Sequence, residues 1–129
     1  MLAVVIAAAI QTQTPPPMVE PLVSTRSTVT GQPLALPQGE VEVTVARVTL
    51  QPGGAIPRHR HAWPRYVHVL SGRLQVTNFD TGDVSVLDAG SFLVEAIGQW
   101  HMGEALGDAP LILLVIDQAP PGVVNVERP

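Results

Sequence analysis

From Val41 to Asp117 the chain is cut into short apolar-rich runs by turn residues, roughly every ten positions, and this cadence is what most limits its possible folds. The turns fall at Ser71-Gly72, Asp80-Thr81-Gly82, Asp88-Ala89-Gly90, Gly98 and Gly107-Asp108-Ala109-Pro110. Between them lie Tyr66–Leu70, Arg73–Asn78, Asp83–Leu87, Ser91–Ile97 and Leu111–Asp117, each of strand length. No segment carries the 3.6-residue apolar period of a helix, and no repeat is evident. The pattern predicts an all-β sandwich or barrel. Two finer expectations follow. The alternation of Val41, Val43 and Val45 gives way to Ala46, Val48 and Leu50, a change of phase that predicts a bulge. Leu111 to Ile116 is apolar throughout, as in a strand buried on both faces.

A chain of 129 residues suits one domain. Met1 to Ile10 is uninterrupted and apolar, too short for a membrane-spanning helix of about 20 residues. With Ala7 and Ala9 near its end it reads as an export signal, which predicts a periplasmic or secreted protein. No Lys or Arg precedes it, so the alternative is an apolar N-terminal strand on a cytoplasmic chain. Gln11 to Pro21, with Pro15-Pro16-Pro17, reads as an extended linker. The expected organisation is signal and linker over 1–24, a folded domain over 25–120 and a surface extension over 121–129. Seven Lys plus Arg and a net charge of −4 exclude a basic nucleic-acid surface. The absence of cysteine rules out a disulfide framework and thiolate metal ligands.

The chain has four histidines. His59 and His61 are two apart, which in a strand puts both on one face with Cα atoms roughly 6.5 Å apart. Two imidazoles so placed can converge on an ion with bonds of about 2.0–2.1 Å. Taken alone, the pair is equally a surface feature beside Arg58 and Arg60. The glycines around it sharpen the reading. Gly53 precedes His59 by six residues, Gly72 follows His61 by eleven, and Gly90, Gly98 and His101 follow in order.

These stretches, Gly53-Gly54-Ala55-Ile56-Pro57-Arg58-His59-Arg60-His61 continuing to Gly72, and Gly90 through Gly98 to His101, resemble the two sequence motifs of the cupin superfamily. The seventeen residues between them, Arg73 to Ala89, suit a hairpin. The resemblance spans Val41 to Asp117 and implies a cupin-type jelly-roll barrel. It also implies one divalent metal ion inside, on His59, His61 and His101 together with a motif-one glutamate. Cupin-like barrels commonly pair through edge strands and N-terminal segments, which implies a homodimer.

Three positions depart from the family pattern. The glutamate position holds Arg65, the motif-two proline is Ala96, and the asparagine near its end is Ala105. Arginine offers no lone pair to a metal. Three neutral imidazoles without a carboxylate would leave the ion its full double charge, a stronger Lewis acid that suits zinc, iron, nickel or copper. Arg65 shares the parity of the histidine pair and either points inward or is turned to solvent. If it points inward it needs a partner, and Glu95, at a position usually apolar in the family, either pairs with it or serves as a substitute fourth ligand. Tyr66 is a candidate acid–base residue or rim packing, alongside Trp100. His68 has the opposite parity and belongs on the outer face, and Phe92 and Met102 read as core or barrel lining. Three functions compete: a metal-dependent enzyme of oxygenase or isomerase type acting on a small molecule, a non-catalytic domain that binds or senses a small ligand or metal, and a structural barrel that has lost its metal.

Overall fold

In a computed structural model, which describes residues 15–129, eight strands follow one another and no helix occurs among the described residues. The apolar run Met1–Ile10, read above as an export signal, lies outside the described residues. The strands are β1 (Glu42–Leu50), β2 (Ala55–His59), β3 (Arg65–Ser71), β4 (Arg73–Asn78), β5 (Val84–Asp88), β6 (Phe92–Val94), β7 (His101–Ala105) and β8 (Leu111–Ala119). They form two four-stranded antiparallel sheets, ordered β1-β8-β3-β6 and β2-β7-β4-β5. The expected barrel is met as these two facing sheets, consistent with a jelly roll, and their ladders do not close into one continuous cylinder.

Alternation along the strands builds the core between the sheets. Val67 and Val69 of β3, Leu111, Leu113 and Val115 of β8 and Leu93 of β6 meet Leu74 and Val76 of β4 and Ala105 of β7 in one buried cluster. Each fully buried Leu or Val contributes about 1.5–3 kcal/mol relative to exposure. The β3–β4 turn depends on Gly72, whose φ is +81° and whose position would drive a Cβ into the carbonyl oxygen of Pro110.

Several expectations need correction. The phase change in β1 is not a bulge: pairing with β8 runs without a shift from Glu42↔Ala119 to Leu50↔Leu111. Instead the inward face changes character along the strand. Val48 and Leu50 pack on the core, whereas Glu42 and Thr44 line a cavity that also holds the charged Arg65 and Asp117. Strand β8 is buried on one face only. Ile112, Leu114 and Ile116 are half-buried, because no second layer covers the outer side of their sheet among the described residues. Phe92 stacks on Tyr66 on that outer side, with ring centroids 6.3 Å apart, and Met102 is half-buried between the fully buried His101 and Gly103; neither lines the interior. His68 is on the outer face as expected, its Nδ1 3.1 Å from the carbonyl of Ser91.

The extension after Gly122 is exposed at Val123 and Val124 and then returns to the body of the fold. Glu127 forms a two-way backbone bridge with Arg60, an ion pair with its side chain, and Asn125 is 5 % exposed. At the other end, residues 15–24 are exposed and carry no strand, and packing begins at Thr28 and Val29, whose N–H donates to Val94.

Candidate metal centre

At one end of the space between the sheets the apolar lining gives way to imidazoles. His59 closes β2, His61 follows in a bridge to Ile97, His101 opens β7, and Glu95 stands just beyond β6. The register break between Ile56 and His59 lets both motif-one histidines turn inward. Their rings, with that of His101, form a triangle with centroids 4.5, 4.8 and 5.0 Å apart. One ligand atom from each of His59, His61, Glu95 and His101 lies within 4.8 Å of all the others, and all four residues are buried or nearly so.

Backbone carbonyls fix the imidazole tautomers. Nδ1 of His59 is 2.7 Å from the carbonyl of Pro57, Nδ1 of His101 is 2.8 Å from that of Gln99, and Nδ1 of His61 is 2.6 Å from that of Asn125. A carbonyl only accepts, so each Nδ1 donates its proton and each Nε2 presents a lone pair to the centre. Glu95 Oε2 is 2.8 Å from Nε2 of His61 and 3.8 Å from Nε2 of His101, yet these three atoms are buried without a hydrogen-bond partner. Lone pairs facing one another at that distance repel unless a cation lies among them. Orphaned buried atoms aimed at one point are what a metal requires. Three neutral nitrogens and one carboxylate oxygen fit a divalent transition ion and leave room for a further ligand.

Electrostatics agree with that donor set. Burial, opposed by the Pro57 carbonyl and reinforced by the neighbouring imidazoles of His101 and His61, lowers the pKa of His59 to about 4, so it is neutral at pH 7. Burial alone would raise the Glu95 carboxyl; the imidazoles of His101 and His61 outweigh it and hold the group well below the usual carboxylate range. Burial alone would lower His101, and the Glu95 carboxylate outweighs it and raises its proton affinity. The cluster is therefore a carboxylate among bases, with a strong demand for positive charge.

Arg65 does point inward, but its partner is not Glu95. It donates from Nε and Nη2 to the two carboxylate oxygens of Asp117, each at 2.8 Å. The two residues face each other in the β3–β8 register, which satisfies the guanidinium across the sheet and frees Glu95 for the histidines. Tyr66, one residue on, faces the outer side and donates to Gln118 Oε1 at 2.9 Å, away from the histidine triangle. Trp100 lies on the rim under the guanidinium groups of Arg58 and Arg60.

Two supporting residues escaped the sequence reading. Asp117 is the lone charge of β8 and follows six apolar residues, a signal that could have marked it as a buried partner. Asn125 orients His61 through its carbonyl and ties together Trp63 and Asp117 through its amide, and nothing in the tail's composition marks it.

The family model described as the Cupin domain matches residues 46–117. Among solved structures, the chain is similar to an oxalate decarboxylase from Lactobacillus farciminis, at 26 % identity and a TM-score of 0.58 over 66 % of this chain and 26 % of that one. A cupin 2 domain-containing protein from Halorhodospira halophila also has 26 % identity and a TM-score of 0.58, over 67 % of this chain and 58 % of its own. A sugar phosphate isomerase of the cupin superfamily from Silicibacter pomeroyi has 28 % identity and a TM-score of 0.54, over 61 % and 52 %. The chain thus spans about a quarter of the oxalate decarboxylase and little more than half of the other two. No curated protein matches the sequence.

Proposed function

Since this chain belongs to the cupin-domain family, we propose that it is a metal-binding small cupin whose centre, held by His59, His61, Glu95 and His101, acts on a small molecule. The observation that carries this reading is the convergence of buried, partnerless Nε2 and carboxylate atoms on one point. A bound divalent ion, of zinc, iron, nickel or copper, would supply Lewis acidity, tempered by the single negative charge of Glu95. Glu95 restores from the β6 side the carboxylate that the Arg65 position lacks. The enzymes among the structural neighbours, an oxalate decarboxylase and a sugar phosphate isomerase, support a catalytic role on a small molecule.

A second reading, a non-catalytic domain that binds or senses a small ligand, is favoured by the outward placement of Tyr66. The cavity beside His59 is lined by Val48, Ile56, Pro57, Arg65, Val126 and Arg128 and contains no hydroxyl or carboxyl group to move a proton. Turnover of a small molecule by metal-loaded protein decides for the enzyme; stoichiometric binding without turnover decides for the sensor. The apolar Met1–Ile10 run supports a periplasmic or secreted location, and the exposed Val43 and Val45 on edge strand β1 support a homodimer.

The test of the centre is metal content. Protein purified without an affinity tag should carry about one divalent ion per chain. His101→Ala should abolish binding, and Glu95→Gln should weaken it with no rescue by Arg65→Met. Full occupancy in His101→Ala removes the assignment.

A further inference from the structure

Of the four clustered residues, His59 lines a cavity of about 190 Å³, whose exposed lining residues are Pro57 and Arg128. The ligand atoms of His61, Glu95 and His101 are sealed from water. Any molecule reaching the centre through this cavity therefore arrives on the His59 side, and the first charged groups it meets are Arg65 and Arg128. The space is of the size that takes a small organic molecule.

Arg65 stands between two cavities. Asp117 lines the one on the far side and not the one beside His59. The Nε and Nη2 edge of the guanidinium is occupied by Asp117, and Nη1 donates to no group among the described residues. The edge left free is the one turned from Asp117, and Arg65 lines the cavity beside His59. Asp117 cancels the net charge of Arg65 and at the same time locks its orientation, so Arg65 offers directed N–H donors. Arg128 forms no ion pair among the described residues and supplies net positive charge at an exposed part of the lining. The remaining lining, Val48, Ile56, Pro57 and Val126, is apolar. Fixed donors, an exposed positive charge, apolar walls and no acidic group together describe a receptor for a small anion with a short carbon skeleton.

The geometry points to a carboxylate subsite: a small monocarboxylate binds with its carboxyl group on Arg65 and Arg128 and its other end toward the centre at His59. Arg65 is thus the specificity-determining residue of the cavity. This inference rests on the metal-centre reading given above, and its test separates the two.

Zinc-loaded protein is titrated by calorimetry with acetate, lactate and pyruvate and with the corresponding amides, which keep the shape and lose the charge. At least one acid should bind about tenfold or more tightly than its amide, as expected for charge-assisted hydrogen bonds to a guanidinium. Arg128→Ala should weaken that acid severalfold and leave its amide unchanged. Arg65→Met combined with Asp117→Asn, which neutralises the pair without stranding a buried charge, should reduce the acid to the affinity of the amide when compared at equal zinc occupancy. Arg65→Lys, which keeps the charge and loses the fork, should fall between. If wild-type protein binds zinc but none of the three acids is preferred over its amide, the subsite is refuted and the metal centre stands. The same holds if the acid's advantage survives in both Arg128→Ala and the double variant. If wild-type protein takes up no zinc, the metal-centre reading fails, and the subsite with it.

Discussion

Asn125→Ala tests whether the C-terminal segment is part of the site. The Asn125 amide donates to the Trp63 carbonyl at 3.0 Å and to Asp117 Oδ1 at 2.7 Å, and its oxygen accepts from the Trp63 N–H at 3.0 Å. Alanine removes all three bonds. At about 1 kcal/mol each, with the half-buried Trp63 groups partly regaining water, the fold should lose about 2–3 kcal/mol. The backbone carbonyl that receives the His61 proton survives the substitution, but its anchor does not. Loss of a group that orients a metal ligand typically weakens metal binding by about 10–100-fold, and because the carbonyl itself remains, about tenfold is expected. Urea unfolding of chelator-treated protein reads the first effect, and zinc competition against a chromophoric chelator reads the second. An Asn125→Ala protein that unfolds within about 0.5 kcal/mol of wild type and binds zinc equally well would show that the tail only decorates the surface.

Three further outcomes are expected. Gly72→Ala should destabilise the fold by about 2 kcal/mol or more, read by thermal or urea unfolding, because its left-handed φ and the closeness of Pro110 leave no room for a methyl group; wild-type stability would contradict the turn geometry. Zinc affinity should be full above the raised pKa of His101 and fall as pH drops through it, since the ion must displace the proton that Glu95 helps His101 to hold; His59, with a pKa of about 4, competes only in stronger acid, and an affinity unchanged between about pH 8 and about pH 5 would refute the assignment. Light scattering should give the mass of a homodimer, and a monomer at high concentration would count against pairing through β1 or the outer sheet face.

The turn spacing and strand periods already contained the all-β architecture, and strand parity already placed His59 and His61 on one face, whereas the third imidazole, His101, came only with the resemblance to the cupin motifs. The first two are local: strand parity fixes which way a side chain points, and glycines fix where the chain reverses. The parity of Arg65 allowed an inward direction on the same ground but left a solvent-facing one open. Its partner was not legible. Whether Glu95 answered Arg65 or the histidines turned on which residue of β8 lies opposite Arg65, and that register is set by hydrogen bonds between strands 52 residues apart in sequence. Because Asp117 takes that place, Glu95 joins the histidines. The change of phase in β1 misled for a related reason, since periodicity reports which residues are apolar and not that one end of the interior holds the charged pair Arg65 and Asp117. The return of the tail to seat Asn125 against His61 was likewise beyond reach. Its contacts are hydrogen bonds and an ion pair to distant segments, which leave no period in the sequence and exist only once both sheets have folded.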